Sequence, residues 1–303
     1  MTLRINNNVG ANIAHRNLTQ NSEAMGKSLE RLSSGLKINR GADGPASLVI
    51  SEYMRAQVSG LEQATRNNEA AVTMVQTAEG ALNEVGRLLV DIRQQAIAAS
   101  NEGTNDEAMR EASQQEIENA LMAIDRIADN TQFARKKLLN GENSTLTFQV
   151  GANAGQTTSV ELPSVASQNL GFNVTIQREN GRMVGKTVES VSNGSGFASL
   201  ADIDVTSTSG AQDSIGMVDA AIQQIATIRG ELGAFQKNTL ESNLTSLRVA
   251  QENLTAAESV IRDTDMASEM ATFTRNQIMT QSAMAQLAQA NVMPQNVMRL
   301  INA

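Results

Sequence analysis

The chain has 303 residues, 32 acidic against 24 basic side chains, a formal net charge of −8 and no cysteine. This excludes disulfides, thiolate metal sites and cysteine nucleophiles, and it argues against nucleic acid as a partner, because phosphate binding needs clustered Lys and Arg. With 14 Met against 6 Phe, 1 Tyr and no Trp, helices meeting along aliphatic seams are favoured over a wide globular core or an aromatic-lined pocket.

No run approaches the roughly eighteen apolar residues of a membrane span, and residues 1–8 are too polar for a cleaved secretory signal. Neither a membrane anchor nor a signal peptide is expected. Residues 3–38 place Val9, Ile13, Leu18, Met25, Leu29, Leu32 and Leu36 mostly three, four and seven apart, the pattern of one apolar helical face. Ser33, Ser34 and Gly35 weaken that helix. Asn39 to Pro45 then combines a turn, a cap and a first-turn proline, so a second helix starts near Ala46.

The second helix carries Leu61, Ala64, Asn68, Ala71, Val75, Ala78, Leu82, Val85, Leu89, Ile92, Ala96 and Ala99 alternately three and four apart, a coiled-coil seam of period 3.5. Run from Ala46 to Ala99, it is a rod of roughly 80 Å. Residues 101–106 stop it and offer N-caps to a third, antiparallel helix with Ile117, Leu121, Ile124, Ile127 and Ala128 on its face. Arg135, Lys136 and Lys137 form the largest basic cluster, a short patch suited to a helix end.

Beyond Lys137 the period drops to two. Leu146, Phe148 and Val150, then Thr158, Val160 and Leu162, read as a β-hairpin around a Gly-rich turn. Residues 164–210 are rich in Ser, Gly, Asn and Thr, with β-like pieces at Val174, Ile176, Val184 and Val188 around an Asn180-Gly181 turn, and read as a small β-rich insert or a surface loop. Helical periodicity returns at Val218 and continues through Ile261, and a last helix carries Met266, Met270, Phe273, Ile278, Met284 and Leu287 toward Leu300 and Ile301. The fold class is therefore mainly α, a long antiparallel coiled-coil bundle with a β-hairpin and a β-rich insert, whose two ends bear apolar stripes that an isolated helix cannot bury.

These segments resemble bacterial flagellin. The resemblance lies in Ser28-Leu-Glu-Arg-Leu-Ser-Ser-Gly-Leu-Lys-Ile-Asn39, Gly60-Leu-Glu-Gln-Ala-Thr-Arg-Asn67, Gln76-Thr-Ala-Glu-Gly-Ala-Leu82, Ile124-Asp-Arg-Ile-Ala128, Phe148-Gln-Val-Gly-Ala-Asn-Ala-Gly155, Ala285-Gln-Leu-Ala-Gln-Ala-Asn291 and Pro294-Gln-Asn-Val297. It covers about residues 1–163 and 212–303, with several long motifs in the family's order.

The resemblance implies a non-enzymatic, self-assembling subunit of the flagellar filament that serves swimming motility. It implies a homopolymer found outside the cell, exported by the flagellar type III apparatus without a cleaved signal, held by an export chaperone on its C-terminal helix, and meeting filament cap and hook–filament junction proteins. Residues 1–43 and 260–303 would form the inner-tube coiled coil, with Val9, Ile13, Leu18, Leu29, Leu32 and Leu36 meeting Met266, Met270, Phe273, Met284 and Leu287. Residues 44–163 and 211–259 would form the rod, with Leu61, Val75, Leu82, Val85, Leu89 and Ile92 on its seam, and residues 164–210 the exposed insert. Terminal helices that are disordered in the monomer would fold as they assemble.

Two departures stand out. Where many flagellins have Leu-Gln-Arg-Val-Arg-Glu-Leu-Ala-Val-Gln, a patch read by the animal Toll-like flagellin receptor, this chain has Leu89-Val-Asp-Ile-Arg-Gln-Gln-Ala-Ile-Ala98. Arg93 and Glu116 match the pattern, but Asp91 replaces an Arg and Gln95 a Leu, which implies weak receptor binding. At Phe133-Ala-Arg-Lys-Lys137 the Asn-Gly usual after the Phe is missing, which implies a different connection into the hairpin.

Other features read as structural. His15, the sole histidine, suits a helix surface and excludes a His-based catalytic pair. The C-terminal methionines, spaced as on a helix without Cys or His, suit adaptable packing better than a soft-metal site. Glu111, Glu116, Glu118, Asp263 and Asp265 suit solvated faces and helix caps, and no cofactor is expected. Sequons at Asn173 and Asn193 are weak pointers to glycosylation in an Asn-rich chain. The alternatives are a hook–filament junction protein of the same superfamily, or a secreted monomeric helical binding module.

Overall fold

The computed structural model describes residues 8–103, 105–179, 182–190 and 199–301. The chain divides into two compact units, one of residues 1–59 and 251–303 and one of residues 60–250. Helix α1 spans Val9–Ser34, α2 Pro45–Ala99, α3 Glu107–Asn130, α4 Thr208–Ala234, α5 Ser242–Arg262 and α6 Met266–Ile301. Among the described residues, no helix is long and apolar enough to cross a membrane.

In the unit of residues 60–250 the 3.5-residue pattern of α2 is its packing pattern. Leu61, Ala64, Asn68, Ala71, Val75, Ala78, Leu82, Val85, Leu89, Ile92, Ala96 and Ala99 are all buried. From Ala71 to Ala99 they share a core with Ile117, Leu121, Ile124 and Ala128 of α3 and with Val218, Ala221, Ile225, Ile228 and Leu232 of α4. Asp106 caps α3 by accepting from the Met109 amide at 2.8 Å. Helix α4 begins ten residues before the expected Val218, because Ser207 caps it through the Gly210 amide at 3.1 Å and its first turns bury Ala211, Ser214 and Met217. Between α4 and α5 the segment Phe235–Glu241 is π-helical. The step of five from Phe235 to Leu240 falls there, and the wider turn returns Leu240 to the buried side.

Among the described residues, three small hairpins complete this unit. Strands β1, Gln132–Phe133, and β2, Lys136–Lys137, pair antiparallel around Ala134 and Arg135, both at positive φ (45° and 72°). The connection is thus the two-residue left-handed turn that Asn-Gly favours, built without either residue. The basic cluster lies in this turn and β2, not at a helix end; the Lys137 ammonium lies 4.0 Å from the Asp129 carboxylate.

Strands β3, Thr145–Gln149, and β4, Thr157–Glu161, pair with Leu146 opposite Val160 and Phe148 opposite Thr158, the alternation expected from the sequence. The hairpin tip docks on the helices. Asn67 and Asn243 donate to the carbonyls of Gln149 and Val150 at 3.2 Å each, and a Cβ at Gly60 would lie 3.0 Å from that of Ala152.

Strands β5, Phe172–Glu179, and β6, Arg182–Ser190, pair with Val174 opposite Val188. The Asn180-Gly181 turn and the Asn193 sequon lie outside the described residues. The expectation of a surface-exposed insert over 164–210 needs correction at its flanks: Val165, Leu170, Leu200, Ile203 and Val205 are buried in the core of this unit. Asp125 holds one flank by accepting from the Ser167 amide at 2.7 Å and hydroxyl at 2.9 Å. Gln114 holds the other by accepting from the Val205 amide and donating to the Ile203 carbonyl, each at 3.0 Å.

Candidate assembly surface

In the unit of residues 1–59 and 251–303, α1 and α6 lie side by side and antiparallel. The side-chain amide of Asn8 donates to the Ala290 carbonyl at 2.8 Å near one end of the pair, and Arg31 faces Glu269 at 3.5 Å near the other. The segments that follow α1 and precede α6 are stapled by backbone: the Lys37 amide donates to the Arg262 carbonyl at 2.7 Å and the Thr264 amide to the Gly35 carbonyl at 2.9 Å. Gly35 is left-handed at φ 72° and ends α1.

The loop after α1 is held by charge. Lys27 pairs with Asp43 at 2.7 Å and Arg40 with Glu30 at 2.8 Å. The hydrogen bond from Lys27, reinforced by the Arg40 and Asn39 amides, lowers the Asp43 carboxyl to about 2. Farther along, Arg262 of α5 pairs with Glu52 of α2 at 2.8 Å and lowers its pKa.

The α1–α6 contact follows a heptad that mixes large and small side chains. On α1 it runs Ala14, Leu18, Asn21, Met25, Ser28 and Leu32, and on α6 Glu269, Phe273, Asn276, Thr280, Ala283, Leu287 and Ala290, each series alternating four and three apart, with every member buried or half-buried. Ala14, Ser28 and Ala283 are the deepest, so small residues bring the helices close.

The stripes expected as inner-tube seams therefore divide. Leu18, Leu32, Phe273 and Leu287 lie in the α1–α6 contact, whereas Val9, Ile13, Leu29, Met266, Met270 and Met284 are exposed. The reason is geometric: at 100° per residue, Val9 and Ile13 lie about 100° or more around α1 from the line of Ala14 and Leu18. Leu36 leaves the set, since α1 ends at Ser34 and Leu36 instead bridges to Asp263 as isolated β-structure. The small residues Ala14, Asn21 and Ser28, seven apart, were the sequence signal for the true contact line.

The large apolar groups left outside are numerous. Val9, Ile13, Leu29, Met266, Met270, Ile278, Met279 and Met284 are all more than two-fifths exposed on a pair that has already used its mutual contact face. They stand on more than one side of the pair, since at 100° per residue Leu29 lies about 160° around α1 from Val9 and Ile13.

Residues 5–144 match the bacterial flagellin N-terminal helical region, and residues 215–301 match the bacterial flagellin C-terminal helical region. The flagellin of Bacillus subtilis (strain 168) is 40% identical over 319 residues, covering 99% of this chain and 100% of that protein. The chain belongs to the bacterial flagellin family. The flagellin of Halalkalibacterium halodurans is 41% identical over 98% of this chain and 99% of its own. The "Flagellar filament 30.7 kDa core protein" of Treponema maltophilum is 37% identical over 98% and 99%. Flagellins are structural proteins, and among the described residues no group of three His, Asp or Glu side chains is placed to hold a metal ion.

Placed on this flagellin, the residues expected to face the immune receptor fall in two environments. Leu89 is fully buried and belongs to the core with Val75, Leu82, Val85 and Ile92, so it is not offered to a partner. Asp91 is exposed and paired to Arg87 at 3.2 Å. Arg93 binds Asp219 at 2.6 Å, and that carboxylate raises its pKa. Gln95 donates to Glu116 at 2.7 Å. The large apolar groups exposed on this stretch are Val90 and Ile97. His15 is exposed on α1.

Proposed function

We propose that this flagellin polymerises through the apolar faces that α1 and α6 leave outside their mutual contact, making it a non-enzymatic structural subunit of the bacterial flagellar filament, outside the cell. The observation that carries this reading is that the two helices are already paired while Val9, Ile13, Leu29, Met266, Met270 and Met284 stay in water. A two-helix pair with a half-exposed seam is marginal alone, and copies of the same chain supply the missing burial.

In this reading residues 1–43 and 260–303 form the inner coiled-coil layer, residues 44–163 and 211–259 the rod, and the β5–β6 hairpin the outward insert, on flanks packed into the core. Before assembly the same apolar faces need cover, the role of an export chaperone on α6. Export runs through the flagellar type III apparatus, and the filament ends meet cap and junction proteins. Weak engagement of the animal flagellin receptor follows from Asp91 and Gln95.

Seeded polymerisation tests the central claim. The purified chain, mixed with filament fragments and followed by sedimentation and electron microscopy, is expected to convert to filaments above a critical concentration. A chain that stays monomeric at every concentration with active seeds sinks the reading.

A further inference from the structure

The chain has 14 methionines and no cysteine, so thioether is the only sulfur available to a peroxide. The fold sorts these methionines by access. Met74 and Met217 are 5% and 3% exposed, whereas Met266, Met270 and Met284 are 48%, 51% and 50% exposed. The latter three lie on one line of α6, within about 40° at 100° per residue, off the line that meets α1.

We propose that this line makes entry into the filament sensitive to oxidation: a peroxide oxidant converts Met266, Met270 and Met284 of the free chain to methionine sulfoxide, and the sulfoxides prevent assembly. The inference rests on the polymerisation reading above. In the step, the thioether sulfur attacks one oxygen of hydrogen peroxide, an S–O bond forms as the O–O bond breaks, and the proton on the transferred oxygen passes to the departing hydroxide, which leaves as water. Sulfur loses two electrons and the peroxide gains them.

The consequence follows from burial. A thioether suits an apolar contact between helices, but a sulfoxide carries a strong acceptor that must keep a donor or lose it on burial. Three such groups on one face place the cost where subunits meet. Assembly also reverses the exposure, so subunits already in the filament are protected and only the free pool is sensitive.

The test treats the free chain and preformed filaments with hydrogen peroxide, locates added oxygen by peptide mass, and measures the critical concentration by sedimentation. In the free chain, Met266, Met270 and Met284 are expected to oxidise well before Met74 and Met217, and the critical concentration to rise by at least roughly tenfold. Treated filaments are expected to persist with those three positions unmodified. The variant M266L/M270L/M284L, whose exposed Met109, Met122 and Met279 still oxidise, is expected to polymerise equally with and without peroxide, because Met279 lies off the line of the three.

Normal polymerisation of the oxidised natural chain overturns the inference, as does loss of polymerisation in the peroxide-treated triple variant. If the triple variant fails to polymerise untreated, methionine sulfoxide reductases acting on both epimers decide: recovery of the oxidised natural chain supports the inference and no recovery overturns it. Failure of the untreated natural chain to polymerise sinks the polymerisation reading, and the inference with it.

Discussion

The side-chain amide of Asn8 donates to the main-chain carbonyl of Ala290 at 2.8 Å, joining positions 282 residues apart. The two ends of the chain thus meet in one antiparallel pair, and the closest packing within it comes from Ala14, Ser28 and Ala283. Large apolar groups are thereby left outside the pair.

Ile13→Asp and Met270→Asp separate folding from assembly. Both side chains are exposed, so the melting temperature of the monomer is expected to hold, with stability within about 0.5 kcal/mol. Sedimentable filament is expected to disappear. Filaments of normal yield from both variants rule these faces out as the contact.

The two-residue turn at Ala134 and Arg135 holds both residues at positive φ, which costs an L-residue with a Cβ about 1–2 kcal/mol each. Ala134→Asn with Arg135→Gly is expected to raise stability by about 1–2 kcal/mol in urea unfolding. An unchanged midpoint counts against strain at this site.

Two substitutions on the α2 seam are expected to act in opposite directions. Leu82→Ala removes a fully buried side chain and costs about 2–5 kcal/mol. Asn68 is buried; its Nδ2 donates to the Ala64 carbonyl at 3.1 Å and its Oδ1 has no partner among the described residues, so Asn68→Leu is expected to stabilise by about 1 kcal/mol. Chemical denaturation reads both, and a destabilised Asn68→Leu chain refutes the second.

Acid weakens the loop after α1 through Asp43. Its carboxyl falls from 3.8 to about 2, chiefly through Lys27. A lowered folded-state value favours the fold above the unfolded value and loses that contribution as pH drops through the folded one. The stability difference between the natural chain and Asp43→Asn is therefore expected to be full above pH 4 and to vanish as pH falls toward 2. A difference unchanged across that window argues against the pair.

Asp91 and Gln95 are both occupied in side-chain contacts, with Arg87 and Glu116. The natural chain is expected to activate the flagellin receptor weakly in a reporter-cell assay, and Asp91→Arg with Gln95→Leu to raise potency by at least about tenfold. Full potency of the natural chain defeats this.

Much of the molecule was legible because local rules and packing agreed. The α2 seam from Leu61 to Ala99 needed only a 3.5-residue period, the break at Asn39–Pro45 only turn and proline chemistry, and the β3–β4 hairpin only alternation. The family was legible in long motifs such as Ser28–Asn39.

Tertiary structure alone decided the rest. On α1 and α6 the apolar residues outnumber what one contact line can hold, so only the partner helix determines that Ala14, Ser28 and Ala283 face inward while Val9, Ile13 and Met266 face out. Val165, Leu170, Leu200 and Val205 looked like loop because their neighbours are Ser and Asn, yet long-range contact with α3 and α4 buries them. Periodicity records that a face is apolar; which surface it meets is a property of the packed chain.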